Sequence, residues 1–238
     1  MIRNRIRRRI YFVFILLFSF VLTGCEFDLP AFQVENVSSF ELSEVPEYFG
    51  EDYVIINDNK TDFDEEHKRG PVFEVYGPLD KLGRCTYAFA KVGEETMPSQ
   101  ERGSIGGVKP SGWHTVKYDI VSGKYLYNRC HLIGYQLTGE NANENNLITC
   151  TRQTNTGAML EFENQVAKYI EETGNHVLYR STPIFYEDDL VAKGIHLEAY
   201  SVEDNGDGIE FNVFLYNVQK GIIIDYSTGE SALESDIK

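Results

Sequence analysis

Apolar side chains recur at Met159, Phe162, Val166 and Tyr169, and Gly174 follows the run. That spacing predicts an amphipathic helix over residues 157–173, closed by the glycine. Elsewhere the apolar runs are shorter and bounded by turn residues. Val72–Tyr76, Thr86–Val92 and Thr115–Asp119 precede the helix, and 176–185, 190–201, 209–217 and 221–226 follow it. These are predicted strands. Asn205-Gly206-Asp207-Gly208 marks a turn between two of them. It lacks the spacing and terminal Glu of an EF-hand calcium loop. No internal repeat interrupts the pattern. The expectation is an α+β domain over 71–238, built on a central antiparallel sheet.

The N-terminus follows a different rule. Arg3, Arg5, Arg7, Arg8 and Arg9 precede an apolar run that starts at Ile10 and ends at Leu22-Thr23-Gly24-Cys25. A basic stretch followed by about 15 apolar residues is a secretory signal, short for a membrane span. Leu-Thr-Gly-Cys resembles a bacterial lipobox. It predicts a lipoprotein signal peptide over 1–25, with Cys25 as the lipid attachment site and the mature chain on the extracellular face of the cell membrane. Residues 26–70 have no sustained period. They hold 13 acids by residue 66 against the single cation Lys60, which predicts a solvated acidic spacer with a strand near Tyr53–Ile56.

Charge complicates the search for a partner. The formal net charge is −15, and nucleic-acid affinity rests on cations that neutralise phosphates. Residues 84–131 nevertheless carry seven Lys and Arg against four acids. A local cationic patch suits weak, sequence-independent binding and argues against strong processive binding. No helix-turn-helix, zinc-finger or RNA-binding signature is present.

The chemistry concentrates just after that patch. Asn128-Arg129-Cys130-His131-Leu132-Ile133-Gly134 is followed by Asn155-Thr156-Gly157-Ala158 and then by Glu163. A histidine, an amide, a carboxylate and an arginine in one window are the parts for hydrolysing a phosphodiester. The order resembles the DNA/RNA non-specific endonucleases, the ββα-metal (His-Me finger) nucleases, over about residues 70–225. That family has Asp-Arg-Gly-His, then a metal-binding Asn, then a Glu about two helical turns beyond it. Here Asn128 stands for the Asp and Cys130 for the Gly. The secreted and surface nucleases of Gram-positive bacteria are the nearest subgroup.

The resemblance implies a ββα-metal nuclease fold, with a helix carrying part of the site. It implies DNA, and RNA within the same chemistry, as substrate. It makes His131 the general base, a role that suits an imidazole titrating near the working pH. Asn155 becomes the ligand of Mg²⁺, with Mn²⁺ or Ca²⁺ as alternatives; such hard ions take oxygen donors and keep several waters. Arg129 becomes a phosphate partner, Arg152 a second phosphate candidate, and Asn146 a further polar position of the substrate site. On one continuous helix Glu163 would lie roughly 80° around and 12 Å along from Asn155. Both could reach one ion directly only if the Asn155 segment bends, so Glu163 is assigned a water-mediated role. Asn is also a preferred helix N-cap, so Asn155 has a structural reading as well. The Gly-rich loop 101–114, with Lys109 and the chain's single tryptophan, Trp113, is a candidate strand-contacting loop.

Cys85, Cys130 and Cys150 remain. An extracellular address permits a disulfide, and a Cys130–Cys150 pair would pin the catalytic segment, but spacing does not choose among the three pairs. No protein partner is evident. The rival to an enzyme is a catalytically silent surface lipoprotein that binds nucleic acid or another ligand, since both substitutions fall inside the His131 motif.

Overall fold

Six antiparallel strands carry the domain. The computed structural model describes Phe40 and residues 42–236; the signal peptide, Cys25 and the first part of the acidic spacer lie outside the described residues. In chain order the elements are β1 (Tyr53–Ile55), α1 (Glu65–Arg69), β2 (Phe73–Tyr76), β3 (Ala88–Val92), β4 (Tyr127–His131), α2 (Tyr135–Thr138), β5 (Leu147–Thr151), α3 (Arg152–Thr156) and α4 (Ala158–Thr173). They continue with β6 (Val177–Ile184), β7 (Gly194–Ser201), β8 (Glu210–Tyr216), β9 (Ile222–Ile224) and β10 (Ser231–Leu233). The main sheet runs β1-β8-β7-β6-β3-β2, antiparallel at every step. The expected α+β architecture is what forms.

Alternation along the strands gives the sheet two different faces. Ala88, Ala90, Val177, Tyr179, Leu197, Ala199, Phe211 and Val213 belong to the buried cluster shared with α4. The helix contributes Ala158, Met159, Phe162, Val166, Ala167 and Ile170. Phe162 lies 4.6 Å from Phe211 between ring centroids. Gly174 ends α4 at φ 68°, the left-handed conformation that a glycine adopts without strain.

The opposite face is covered by the N-terminal segment. Phe63 stacks on Phe89 at 5.5 Å, and Arg180 pairs with Asp62 and with Glu198. The amide of Asn212 donates to the Lys60 carbonyl at 2.6 Å. The predicted spacer is therefore corrected from Tyr53 onward. Residues 53–69 are part of the domain, because β1 is an edge strand of the sheet and the acids at 62 and 210 neutralise buried or bridging cations.

Two further departures matter for the site. Thr115–Asp119 is not a strand; only the isolated bridge Lys117–Tyr125 remains, because the chain turns back within 118–124 through Tyr118–Lys124 and Val121–Tyr118 hydrogen bonds. The predicted helix over 157–173 begins at Ala158, and Asn155 occupies a separate short helix, α3. The break falls at Gly157, at φ −98° and ψ −117°. A Cβ there would come within 2.5 Å of the Gln153 carbonyl.

Outside the main sheet, β4 and β5 form an antiparallel hairpin, and α3 follows directly. The two strands and the helix make a ββα unit. Cys130 and Cys150 form a disulfide across it, both fully buried against the α4 cluster. Among the described residues Cys85 is the unpaired cysteine. Burial pushes its thiol up to about 12, so it is no nucleophile.

Candidate active site

β4 delivers His131 at its last position, on the strand face opposite the disulfide. The imidazole is nearly buried, and Nε2 lies 2.7 Å from the Asn141 carbonyl oxygen. A carbonyl only accepts, so Nε2 carries the proton. Nδ1 lies 3.2 Å from Nη2 of Arg102, and a guanidinium only donates, so Nδ1 offers its lone pair. Both partners demand the same neutral tautomer. Burial lowers the His131 pKa and the Arg102 charge lowers it further, while the Asn141 hydrogen bond opposes them. At neutral pH the ring is an uncharged base, with its free lone pair turned toward a guanidinium.

The chain after His131 is pinned from beneath. Leu132 N–H donates to the Asn146 carbonyl at 2.8 Å and Ile133 N–H to its side-chain Oδ1 at 2.9 Å, while Asn146 Nδ2 donates to the Ile133 carbonyl at 3.1 Å. Asn146 is 0% exposed. The expectation that it contacts substrate is corrected: its amide bonds backbone through both its oxygen and its nitrogen and is inaccessible. It holds the segment that follows His131.

That segment brings Gly134 under Glu163. A Cβ at 134 would lie 2.5–2.7 Å from the carboxyl atoms of Glu163. Glu163 belongs to the inward stripe of α4, whereas Glu161 is exposed. Burial raises the Glu163 carboxyl to about 8, against the pull of the Gln136 amide and the Arg102 charge. Arg102 is thus the common neighbour of His131 and Glu163.

Asn155 lies on α3, half-buried. It caps neither helix. Thr151 caps α3 by accepting from Thr154 N–H, and Gly157 occupies the N-cap of α4 with no side-chain bond. No hydrogen bond engages the Asn155 amide among the described residues. Other side chains hold α3 in place: Thr154 donates to the Tyr216 carbonyl at 2.9 Å and Gln153 Nε2 to Asp52 Oδ1 at 2.6 Å.

The remaining predicted residues have other partners. Arg129 Nη2 donates to the Gly106 carbonyl at 3.0 Å and its Nε to the Val108 carbonyl, and its guanidinium lies 4.0 Å above the Trp113 ring. Trp113 packs on the small apolar cluster of Val121, Leu126, Tyr127 and Ile222. Its ring is covered on one face by Arg129, so the expectation that Trp113 contacts a substrate strand does not hold for that face. Arg152 donates to Asn128 Oδ1 at 3.3 Å. Asn128 points to the disulfide side of β4, so this guanidinium does not share the His131 face. Lys109 is exposed in the loop. Arg102, Asn141 and Gly134 did not stand out in the sequence. Arg102 shares its loop with Lys109, and nothing in the spelling ranks one cation above the other.

A buried neutral histidine at the end of a two-stranded hairpin, followed by a helix and faced by an arginine and a buried carboxyl, defines an endonuclease of the ββα-metal type. The sequence profile described as DNA/RNA non-specific endonuclease matches residues 65–203, and the chain belongs to that family. The fold is similar to NucA from Streptococcus agalactiae with magnesium ion bound, at 28% identity and a TM-score of 0.67, covering 76% of this chain and 86% of that one. The same nuclease with no metal bound gives 26% and 0.70, over 81% and 92% of the two chains. The Sda1 nuclease with bound zinc ion gives 25% and 0.59, over 67% and 81%.

Proposed function

We propose that this protein is a surface-anchored, Mg²⁺-dependent endonuclease that hydrolyses DNA without sequence preference, with RNA as a second candidate substrate and His131 as the general base. The observation that carries the reading is the His131 ring, whose Nε2–H is held by the Asn141 carbonyl while Nδ1 faces Arg102. Substrate phosphate offers Arg102 a stronger, charge-assisted partner than a neutral imidazole. When the guanidinium moves to phosphate, Nδ1 is free to take a proton from the attacking water, and the positive charge stands where negative charge grows. Glu163 acts at one water's remove, on the carboxyl side of the same pocket.

The donor set fits a hard divalent ion. Asn155 offers an amide oxygen free of hydrogen bonds among the described residues. One amide oxygen is a workable protein contribution to the shell of a hard ion that keeps most of its waters. A bound ion at Asn155 would neutralise charge on the leaving oxygen. NucA carries magnesium and Sda1 zinc in the structures named above, which supports a divalent ion. Surface anchoring rests on Leu22-Thr23-Gly24-Cys25.

A plasmid-nicking assay on the soluble domain, with Mg²⁺ or EDTA, tests the reading. His131→Ala should slow cutting by about a hundred- to ten-thousand-fold, and EDTA should abolish it. A parallel assay on structured RNA tests the second substrate. Undiminished cutting by the variant would sink the mechanism, and a wild-type protein that binds DNA without cutting it would favour the silent lipoprotein. For the anchor, Cys25→Ser should release the protein from the membrane fraction.

A further inference from the structure

We infer that Arg129 is a positioning residue: with Trp113, it clamps the 100–108 strap that holds Arg102 over His131, and it does not itself bind phosphate. The inference rests on the reading of Arg102 as the phosphate-facing guanidinium. The strap is fastened at two points on either side of Arg102. Before it, the Tyr135 hydroxyl at the start of α2 donates to the Gln100 carbonyl at 2.7 Å. After it, Arg129 donates to the carbonyls of Gly106 and Val108. Between the two, Gly103 packs so closely on Asn141 that a Cβ would lie 2.8 Å from Nδ2. Asn141 is the residue whose carbonyl fixes the His131 tautomer.

Arg129 is suited to this task for three reasons. It sits two residues before His131 on β4, so both side chains leave the same strand face. A planar fork can reach two carbonyls of one loop, which an ammonium cannot do with the same geometry. Its flat face also stacks on Trp113 at 4.0 Å, fixing the guanidinium plane between ring and loop. The strand that supplies the base therefore also holds the loop that supplies the cation. The register between the two is set by a spacing of two residues, not by the flexible course of the loop.

The test is a double-mutant cycle on kcat/KM for plasmid cleavage, using Arg102→Ala, Arg129→Ala and the pair. Arg102→Ala alone must reduce kcat/KM by about a hundredfold; if it does not, the reading of Arg102 fails first. Given that loss, Arg129→Ala should cost at least about tenfold in the wild-type background and almost nothing beside Arg102→Ala. The salt dependence of DNA binding should be the same in Arg102→Ala with and without the second substitution. Arg129→Lys should behave like Arg129→Ala, since a point charge cannot make the fork. Trp113 fluorescence, from the single tryptophan, should shift to the red in both Arg129 variants and not in Arg102→Ala. Multiplicative losses, or rescue by lysine, would show an independent phosphate contact and overturn the inference. If Arg129→Ala does not fold by circular dichroism, the same cycle is run with Arg129→Lys and with Trp113→Leu; non-additive losses in kcat/KM and an unchanged salt dependence beside Arg102→Ala then support the inference, and multiplicative losses overturn it.

Discussion

The carboxyl of Glu163 rests directly on Gly134, closely enough that one added methyl group would sit 2.5 Å from its Oε2. The glycine is required by space, not by backbone freedom, since its φ of −59° and ψ of 145° are open to any residue. Gly134→Ala should therefore fold and displace the carboxyl. Because misplacing an active group by about 1 Å costs on the order of a hundredfold in rate, kcat should fall far more than the melting temperature. Equal kcat in Gly134→Ala and wild type, measured at saturating Mg²⁺, would remove Glu163 from the reaction.

The pH profile should report His131. Its pKa is lowered from 6.5, first by burial and then by Arg102, so the neutral base persists below the ordinary histidine range. Activity should be lost only as pH falls through that lowered value. Arg102→Ala removes one lowering influence, so its acid limb should move to higher pH. Nitrogen-detected NMR titration of the His131 ring gives the same comparison without turnover. A limb at or above 6.5 in the wild type would contradict the geometry.

Asn146 should matter for stability. Replacing it with Ala leaves the Ile133 N–H and carbonyl unsatisfied in a fully buried position, at a cost of roughly 1–3 kcal/mol for each group. Denaturant unfolding should show the loss, while KM of the remaining folded enzyme should stay near that of wild type. A raised KM without destabilisation would restore the substrate-contact reading.

The Cys130–Cys150 bridge closes a segment of 20 residues, which contributes about 3 kcal/mol through loss of unfolded-state freedom. Replacing both cysteines with Ala should lower the unfolding midpoint accordingly. Both sulfurs lie on the side of β4 away from His131, so kcat well below the midpoint should change little. A large fall in kcat at low temperature would mean that the bridge shapes the site itself.

Much of this fold was legible because its signals are periodic. Met159, Phe162 and Val166 announced α4, and the strands at 177–184, 194–201 and 210–216 lay within their predicted runs. The hairpin that holds His131 was silent. Tyr127-Asn128-Arg129-Cys130-His131 alternates between a covered loop face and a disulfide face, so neither reads as apolar or polar. His131, Asn155 and Glu163 were singled out by motif order. Arg102 was not, because its place beside His131 is made by tertiary clamps at Gln100 and Gly106 that leave no local pattern. The expected role of Asn146 failed for a related reason: an amide's spelling is the same whether it meets solvent or an inner backbone.

The break at Gly157 gives the site a freedom that a continuous helix would deny it. A single rod through 152–173 would fix the separation of Asn155 and Glu163 by helical rise alone. Divided, α3 takes its attitude from Tyr216 and Asp52 at the sheet end, and α4 takes its own from Phe162 and Val166 in the core. Asn155 and the buried carboxyl can thus be adjusted separately, by substitutions on two different surfaces. Metal preference and turnover could then diverge among relatives while the catalytic spelling stays the same.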